Sequence, residues 1–137
     1  MIEILKIQTK GNYDFINITE KVEDVLKKSK KKEGLVNVFA RHTTAGIIIM
    51  EDEKGILMDF KKAFEKIAPL NIKYNHNKIQ DDDNGHSHVC GSVLGCSVNI
   101  PFFDGELMLG IWQQIFLVDF DTHSREREVV VSVVDNK

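Results

Sequence analysis

Hydrophobic and polar residues alternate over short stretches of this chain, and between them lie two longer stretches with helical spacing. Runs rich in β-branched and aromatic residues predict about seven or eight strands, at 2–7, 15–18, 35–42, 46–50, 92–100, 102–107, 111–120 and 128–134. The runs at 35–42 and 46–50 are apolar enough for burial on both faces. Because most strands follow one another through short connections, we expect them to pair antiparallel.

Two stretches repeat apolar residues at the three- and four-residue spacing of an amphipathic helix. The first predicts a helix over about 20–32, with Thr19 as its cap and Gly34 as its stop. The second predicts a helix over about 53–68, where Asp52 caps the start and Pro69 follows the end. Two main helices on a β-rich antiparallel framework place the chain in the α+β class.

Composition places the chain among ordinary globular proteins. Its 137 residues are 42% hydrophobic and 28% charged, which suits a single domain over 1–137. The formal net charge of −3 argues against a nucleic-acid binder, which carries a basic excess. No apolar run approaches the ~20 residues of a membrane span, and the first residues lack a signal-peptide pattern. We therefore expect a cytoplasmic protein with no membrane partner.

The segment from Tyr74 to His88 is almost entirely polar and carries His76, His86 and Asp83. Long polar segments inside compact domains are uncommon and often functional. If the segment is extended, His86 and His88 point to the same side and can share a metal or a phosphate. A mixed histidine–aspartate set suits zinc, manganese or iron, whereas carboxylates alone suit magnesium. The alternative is a solvent-exposed acidic loop with incidental histidines.

A second polar group lies between two predicted buried strands, at His42, Thr43 and Thr44. Small hydroxyl residues let backbone N–H groups approach an anion, and the imidazole can donate or accept a proton. The alternative is a tight turn in which the hydroxyls cap backbone groups.

Two further places combine groups that suit ligand binding. Trp112 offers a stacking face for a ring and Gln113 can bond its polar edge, although a core tryptophan beside a surface amide is equally ordinary. The turn at 123–127 contains Arg125, whose guanidinium can bind phosphate. The alternative there is a charged turn at the end of an edge strand.

Four motifs occur in a fixed order along the chain: His42 to Gly46 (HTTAG), Asp83-Asn84 with His88, Ser92 to Pro101 (SVLGCSVNIP) and Asp104 to Gln113 (DGELMLGIWQ). Together they resemble the YjbQ-like family, small proteins often labelled secondary thiamine-phosphate synthase. The resemblance covers essentially the whole chain. One departure is Ile111, where the family usually has threonine before Trp-Gln.

The resemblance implies a β-sandwich with flanking helices, assembled as a homotrimer whose sheets pack around the threefold axis. It also implies a polar pocket near the subunit interface, lined by residues matching His42, Asp83, His88 and Gln113. The activity associated with the family joins a pyrimidine diphosphate to a thiazole phosphate with loss of pyrophosphate. The expected ligand is therefore a small phosphorylated metabolite, and the expected enzyme is a transferase.

For that chemistry we assign hypothetical roles to individual residues. Asp83 binds a divalent cation, magnesium or zinc, and the further candidate ligands are His88 and His42, then His86 and His76. The groups that hold phosphate oxygens are His42, His88 and Arg125, and Thr43 and Thr44 line the anion site. Trp112 stacks on a ring of the substrate, and Gln113 forms a hydrogen bond with that ring. Two alternatives are a metal-dependent hydrolase, with His42, Asp83 and His88 as ligands, and a non-catalytic trimeric protein that binds a metabolite.

Overall fold

The computed structural model describes residues 1–136, which form two antiparallel sheets and four helices. The strands are β1 (Ile2–Gln8), β2 (Asp14–Asn17), β3 (Glu33–Ala40), β4 (Ala45–Met50), β5 (Ser97–Phe103), β6 (Glu106–Leu107), β7 (Gln114–Asp119) and β8 (Glu126–Asp135). The helices are α1 (Thr19–Ser29), α2 (Lys54–Ile67), α3 (Asn75–Gln80) and α4 (Gly85–Leu94). The predicted α+β class with a β-rich antiparallel sandwich is confirmed.

The two sheets differ in size. The larger has the strand order β1-β8-β3-β5-β6 and the smaller has the order β2-β7-β4. In the larger sheet, Val36 of β3 lies opposite Val133 of β8 on one side and Ile100 of β5 on the other. In the smaller sheet, Ile47 of β4 lies opposite Leu117 of β7.

The main core fills the space between the two sheets and α1. Because side chains alternate along a strand, β3 buries Val36, Val38 and Ala40 and exposes Leu35 and Phe39. The buried residues of β3 belong to one cluster with residues of β4, β7, β8 and α1. Within residues 1–136 only the inner face of this strand is covered, so the single chain does not give the predicted burial on both faces.

The outer face of the larger sheet carries six large apolar side chains that are exposed in the single chain: Ile2, Ile4, Leu35, Phe39, Phe103 and Val134. We call this set the outer face. The loop over residues 108–113, which follows β6, also exposes Met108, Ile111 and Trp112. These exposed groups matter below, because apolar patches of this kind mark interaction surfaces.

A second core cluster lies on the other face of the smaller sheet. Phe116, Val118 and Phe120 are buried there, and Phe60 and Phe64 of α2 pack against them. The ring centroids of Phe64 and Phe120 are 5.5 Å apart. The strand β7 is thus buried on both faces, up to and including Asp119 at its C-terminal end.

The helices begin and end close to the predicted places, but their caps differ. The second helix is capped by Glu53 rather than Asp52, because the Glu53 carboxylate accepts hydrogen bonds from the N–H groups of Gly55 and Ile56 at 2.8 Å each. At the start of α1, the Thr19 N–H and hydroxyl donate to the Asn17 side chain.

The polar segment differs most from the extended form considered above. It folds into α3 and the start of α4, and the latter runs on to Leu94, so the strand predicted over 92–100 begins only at Ser97. The strand predicted over 111–120 likewise begins at Gln114. Helix α4 lies close to the loop before β4, where a Cβ added to Gly91 would sit 2.8 Å from the Thr43 carbonyl oxygen. In residues 1–136, none of the helices combines the length and the apolar character that crossing a bilayer requires.

Candidate phosphate-binding site

A cavity of about 1000 Å³ lies where three connections meet. These are the loop between β3 and β4, the start of α4, and the loop between β7 and β8. The predicted site residues that line it are His42, Thr43, Thr44, His88 and Arg125, and the remaining lining residues are Phe39, Ala40, Arg41, Asn84, Cys96, Asp121, Glu126 and Arg127. The fold therefore gathers five predicted residues from three distant parts of the sequence.

A buried aspartate, Asp121, organises one wall of the cavity. One carboxylate oxygen accepts from the Thr44 hydroxyl at 2.9 Å and from Arg125 Nε at 3.2 Å. The other accepts from the Thr122 N–H at 2.7 Å and the Asn84 amide at 3.4 Å. Burial by itself raises the pKa of Asp121, but these hydrogen bonds and the charge of Arg125 lower the pKa below its usual value overall. Asp121 is therefore an ionised carboxylate whose acceptor capacity is filled.

A second buried pair lies beside it. Arg127 forms a bidentate ion pair with Asp119, with Nε–Oδ2 and Nη2–Oδ1 distances of 2.7 and 2.8 Å. The same Nη2 group donates to the Thr44 hydroxyl at 2.7 Å. The hydroxyl of Thr44 thus donates to Asp121 and accepts from Arg127. It holds these two side chains in place and is not available to a ligand.

Arg125 is more exposed than Arg127 and forms fewer side-chain hydrogen bonds with the protein. Its side chain is half-exposed, and only Nε is engaged, by Asp121. Within residues 1–136 its two Nη groups have no hydrogen-bond partner. Because a guanidinium carries five N–H donors in a planar fork, Arg125 keeps a bidentate donor face for an anion.

His42 lines the cavity, and its remaining ring nitrogen is a hydrogen-bond donor. Its Nε2 accepts the backbone N–H of Glu128 at 2.8 Å, so the proton of the neutral ring is on Nδ1. Burial, and then the charge of Arg127, lower the pKa of His42, which keeps the ring neutral. The Nδ1–H group and the exposed hydroxyl of Thr43 have no partner in the part of the chain that the structure describes.

His88 reaches the cavity from the second turn of α4. Its ring centroid lies 4.2 Å from that of His76 of α3. Burial and the neighbouring His76 lower the pKa of His88, so this ring is also neutral at pH 7. A neutral imidazole can either give a proton to a ligand oxygen or accept one.

The predicted metal ligands do not come together as a set, because His42 and His88 line the cavity and Asp83 and His86 do not. In residues 1–136, no three histidine, cysteine, aspartate or glutamate side chains are placed to hold a metal ion together. The neutral ring of His42 has its lone pair on Nε2, where it already accepts the Glu128 N–H. Asp83 is exposed, accepts from the Thr122 hydroxyl at 2.9 Å and lies 3.5 Å from His123 Nε2, outside the cavity lining. The residues present do not fit the predicted divalent cation.

His86 is separated from His88 although only one residue lies between them. His86 is 4% exposed and lines a different, smaller cavity with Tyr13 and Lys61. On a helix, residues two apart differ in direction by about 200°. The expectation that His86 and His88 share one ligand is therefore wrong.

Trp112 and Gln113 also lie away from the cavity of the single chain. Trp112 is 68% exposed in the loop after β6. The Gln113 side-chain oxygen accepts from the Gly110 N–H at 2.8 Å, which closes that loop on itself. Their predicted contacts with a ligand ring are not formed by this chain alone.

The comparisons with known proteins agree with the resemblance found in the sequence. The family model described as UPF0047 protein YjbQ-like matches residues 3–136. The chain belongs to this family. A UPF0047 protein of Methanothermobacter thermautotrophicus is 38% identical over 129 residues, which cover 94% of this chain and 88% of the relative. A second, from Archaeoglobus fulgidus, is 35% identical, with 95% and 98% covered.

Solved structures of YjbQ-like proteins have the same fold. A YjbQ-like protein of unknown function from Sulfolobus solfataricus superposes with a TM-score of 0.89 at 30% identity, with 99% of each chain covered. A YjbQ/UPF0047 protein from Clostridium acetobutylicum gives a TM-score of 0.88 at 32% identity, with 96% of this chain and 99% of that chain covered. Family membership and fold are thus established together.

Four functional residues were missed from the sequence: Asn84 as a cavity residue, and the buried charges Asp119, Asp121 and Arg127. One signal was available for three of them. Asp119 and Asp121 flank Phe120 at the end of an apolar strand, and Arg127 belongs to the next strand. Charges in such positions are buried only when they are paired. That rule predicts that these charges form ion pairs in this YjbQ-like chain, but it does not predict which aspartate pairs with Arg127.

Proposed function

We propose that this protein is a small-molecule enzyme that binds the phosphate group of its substrate in the large cavity. One observation carries the proposal: donors without a partner among residues 1–136 line the cavity, while its buried carboxylate is already satisfied. The donors are the Nη groups of Arg125, Nδ1–H of His42 and the Thr43 hydroxyl. Phosphate oxygens accept such hydrogen bonds, and charged donors form the stronger ones.

The buried carboxylates beside the cavity are paired with arginines, so neither is an uncompensated charge that would repel an anion. Asp119 is neutralised by its bidentate partner Arg127, and Asp121 shares its charge mainly with Arg125. The carboxylate Oδ2 of Asp121 lies 3.6 Å from Arg127 Nη2 as well. Since Arg125 contributes only Nε to this network, its remaining donors do not have to leave a protein partner when phosphate binds.

The reaction we propose is the transfer implied by family membership, in which a pyrimidine diphosphate joins a thiazole phosphate and pyrophosphate leaves. A leaving pyrophosphate needs its negative charge stabilised as the bond breaks. Arg125 and His42 supply donors for that charge, and neutral His88 can exchange a proton with a ligand oxygen. Loss of synthase activity is expected in His88→Ala with unchanged folding, and an unchanged rate would remove His88 from the mechanism.

A metal-dependent hydrolase with His42, Asp83 and His88 as ligands is less well supported by this geometry, because His42 offers no lone pair and Asp83 lies outside the cavity. Metal analysis of the purified protein tests the predicted magnesium or zinc directly. A non-catalytic metabolite binder would show a ligand-dependent rise in melting temperature without turnover.

We also propose the homotrimer that the resemblance implies, with the outer face as its interface. That surface gathers exposed apolar side chains from β1, β3, β5 and β8. Leu35→Lys is expected to reduce the molecular mass measured by light scattering to that of a monomer. The matched control is Met58→Lys, which adds the same charge at an exposed apolar residue of α2. Equal effects of the two changes would contradict this interface. A cytoplasmic location is part of the same proposal.

Phosphate binding is tested by calorimetric titration of the protein with inorganic phosphate and pyrophosphate. Arg125→Gln removes a charge-assisted donor, worth roughly 1.5–3 kcal/mol, so affinity is expected to fall by about tenfold or more. Lys32→Gln is the control, because it removes the same charge at an exposed residue paired with Asp104. If both variants bind equally, or if the wild type binds neither anion, the site does not have the proposed function.

A further inference from the structure

Asn84 connects the buried carboxylate to the histidines beside the cavity. It is buried, its Nδ2 group lies 3.4 Å from Asp121 Oδ1, and its Oδ1 atom lies 3.1 Å from His76 Nε2. Its backbone carbonyl accepts the N–H groups of Ser87 and His88 at the start of α4. The residue therefore contacts His76, Asp121 and the turn of α4 that carries His88.

The orientation of the Asn84 amide follows from its neighbours. An ionised carboxylate accepts hydrogen bonds and donates none, so the amide group that faces Asp121 is the NH2 group. The amide oxygen then faces His76, and an oxygen acceptor requires a proton on His76 Nε2. The neutral His76 ring is thereby held as one tautomer, with Nδ1 unprotonated.

We propose that Asn84 is a positioning residue, which transmits the fixed orientation of the Asp121 carboxylate to the His76 ring and through it to His88. The contact between the two rings supplies the last step, since their centroids are 4.2 Å apart with a 48° angle between their planes. Within the described chain the nitrogens of His88 have no protein partner, so the ring is held by packing and both nitrogens remain available to a ligand.

The same carboxylate also aligns the anion-binding arginine. The Asp121 oxygen that accepts from Arg125 Nε is Oδ2, and the oxygen that accepts from Asn84 is Oδ1. One buried group thus connects Arg125 with His88, and both line the cavity that we propose binds phosphate. Only the role of these residues in phosphate binding rests on the proposed function, because the contacts of Asp121 with Arg125 and Asn84 exist without a ligand.

Imidazole nitrogen NMR of the ligand-free protein tests the proposal, at about pH 8, where neutral rings predominate. The signals of His76 and His88 are assigned from their loss in His76→Gln and His88→Gln. The wild type is expected to show a single Nε2–H tautomer for His76. Asn84→Ala is expected to give averaged tautomers for His76 and shifted signals for His88.

The matched control is Thr122→Val, which removes a donor from the same Asp121 oxygen without touching His76. It is expected to leave both imidazole spectra unchanged. The proposal is overturned if wild-type His76 carries its proton on Nδ1 or is a mixture, or if Asn84→Ala leaves both rings as in the wild type. A carboxylate oxygen of Asp82 lies 3.9 Å from the same His76 nitrogen, so Asp82→Asn is a second control and is expected to keep the single Nε2–H tautomer. If Asn84→Ala does not fold, loss of that tautomer in Asp82→Asn overturns the proposal. Failure of phosphate binding, by contrast, leaves these spectra as expected.

Discussion

Two arginines, Arg125 and Arg127, lie two residues apart in sequence, yet we expect their removal to have opposite consequences. Arg127 is buried and pairs with the fully buried Asp119, whereas Arg125 is half-exposed and engages Asp121 through one nitrogen. Arg127→Ala should therefore destabilise the fold, and Arg125→Ala should leave stability nearly unchanged while it weakens phosphate binding.

The magnitudes follow from what each change leaves behind. Removing one partner of a buried ion pair costs about 3–5 kcal/mol, because the other charge stays buried and uncompensated. Asp119 would retain only the Thr9 hydroxyl and the Asp121 N–H as donors. In the Arg125–Asp121 pair only the arginine is exposed, and Asp121 keeps the donors of Thr44, Thr122 and Asn84 when Arg125 is removed. We therefore expect this change to cost about 0–1 kcal/mol, as for a pair screened by water. The expected difference is about 2–5 kcal/mol, which is a large part of the ~5–15 kcal/mol stability of a typical domain.

Urea unfolding at one fixed protein concentration measures both variants. A third variant tests the physical cause. If the cost in Arg127→Ala comes from the stranded Asp119 charge, adding Asp119→Asn should recover part of the lost stability, and the two changes will not be additive. Equal midpoints for Arg125→Ala and Arg127→Ala, or simple additivity in the double variant, would refute this account of the network.

Three further outcomes follow from the geometry. Because the folded pKa of Asp121 lies below its unfolded value of about 3.9, its stabilisation is present above that pH and is lost as the pH falls through the folded pKa. The acid-induced fall in melting temperature should therefore be smaller in Asp121→Asn. Gly91→Ala should lower the melting temperature, because its Cβ would meet the Thr43 carbonyl oxygen at 2.8 Å, whereas Gly110→Ala meets only a flexible side chain at 3.3 Å. Imidazole NMR should show neutral His42 protonated on Nδ1, since its Nε2 accepts a backbone N–H.

Much of the fold was predictable because it depends on local periodicity. The alternation in β3 and the helical spacing of Phe60 and Phe64 each reflect one buried face. The outer face was less predictable. Leu35 and Phe39 have the composition of a buried strand, and sequence periodicity does not show whether the surface that covers them belongs to the same chain.

The candidate site was predictable in its residue types more than in its bonding. His42, Thr43 and Arg125 were expected near an anion, and they do line one cavity. Nothing in the sequence shows that the Thr44 hydroxyl is taken by Asp121 and Arg127, or that His42 accepts a backbone N–H. Those hydrogen bonds join distant parts of the chain, and they determine which polar atoms remain available to a ligand.

The polar segment shows how one change of backbone conformation redistributes chemical roles. In an extended chain His86 and His88 would point to the same side, but in α4 they diverge into separate cavities. The first turn of α4 is held by the Asn84 carbonyl, which accepts the N–H of Ser87 at 3.0 Å and its hydroxyl at 2.6 Å. A metal site that used both histidines would have to unwind this turn and give up these bonds, at roughly 1 kcal/mol each. The helix therefore favours a site in which Asn84 supports His88 alone.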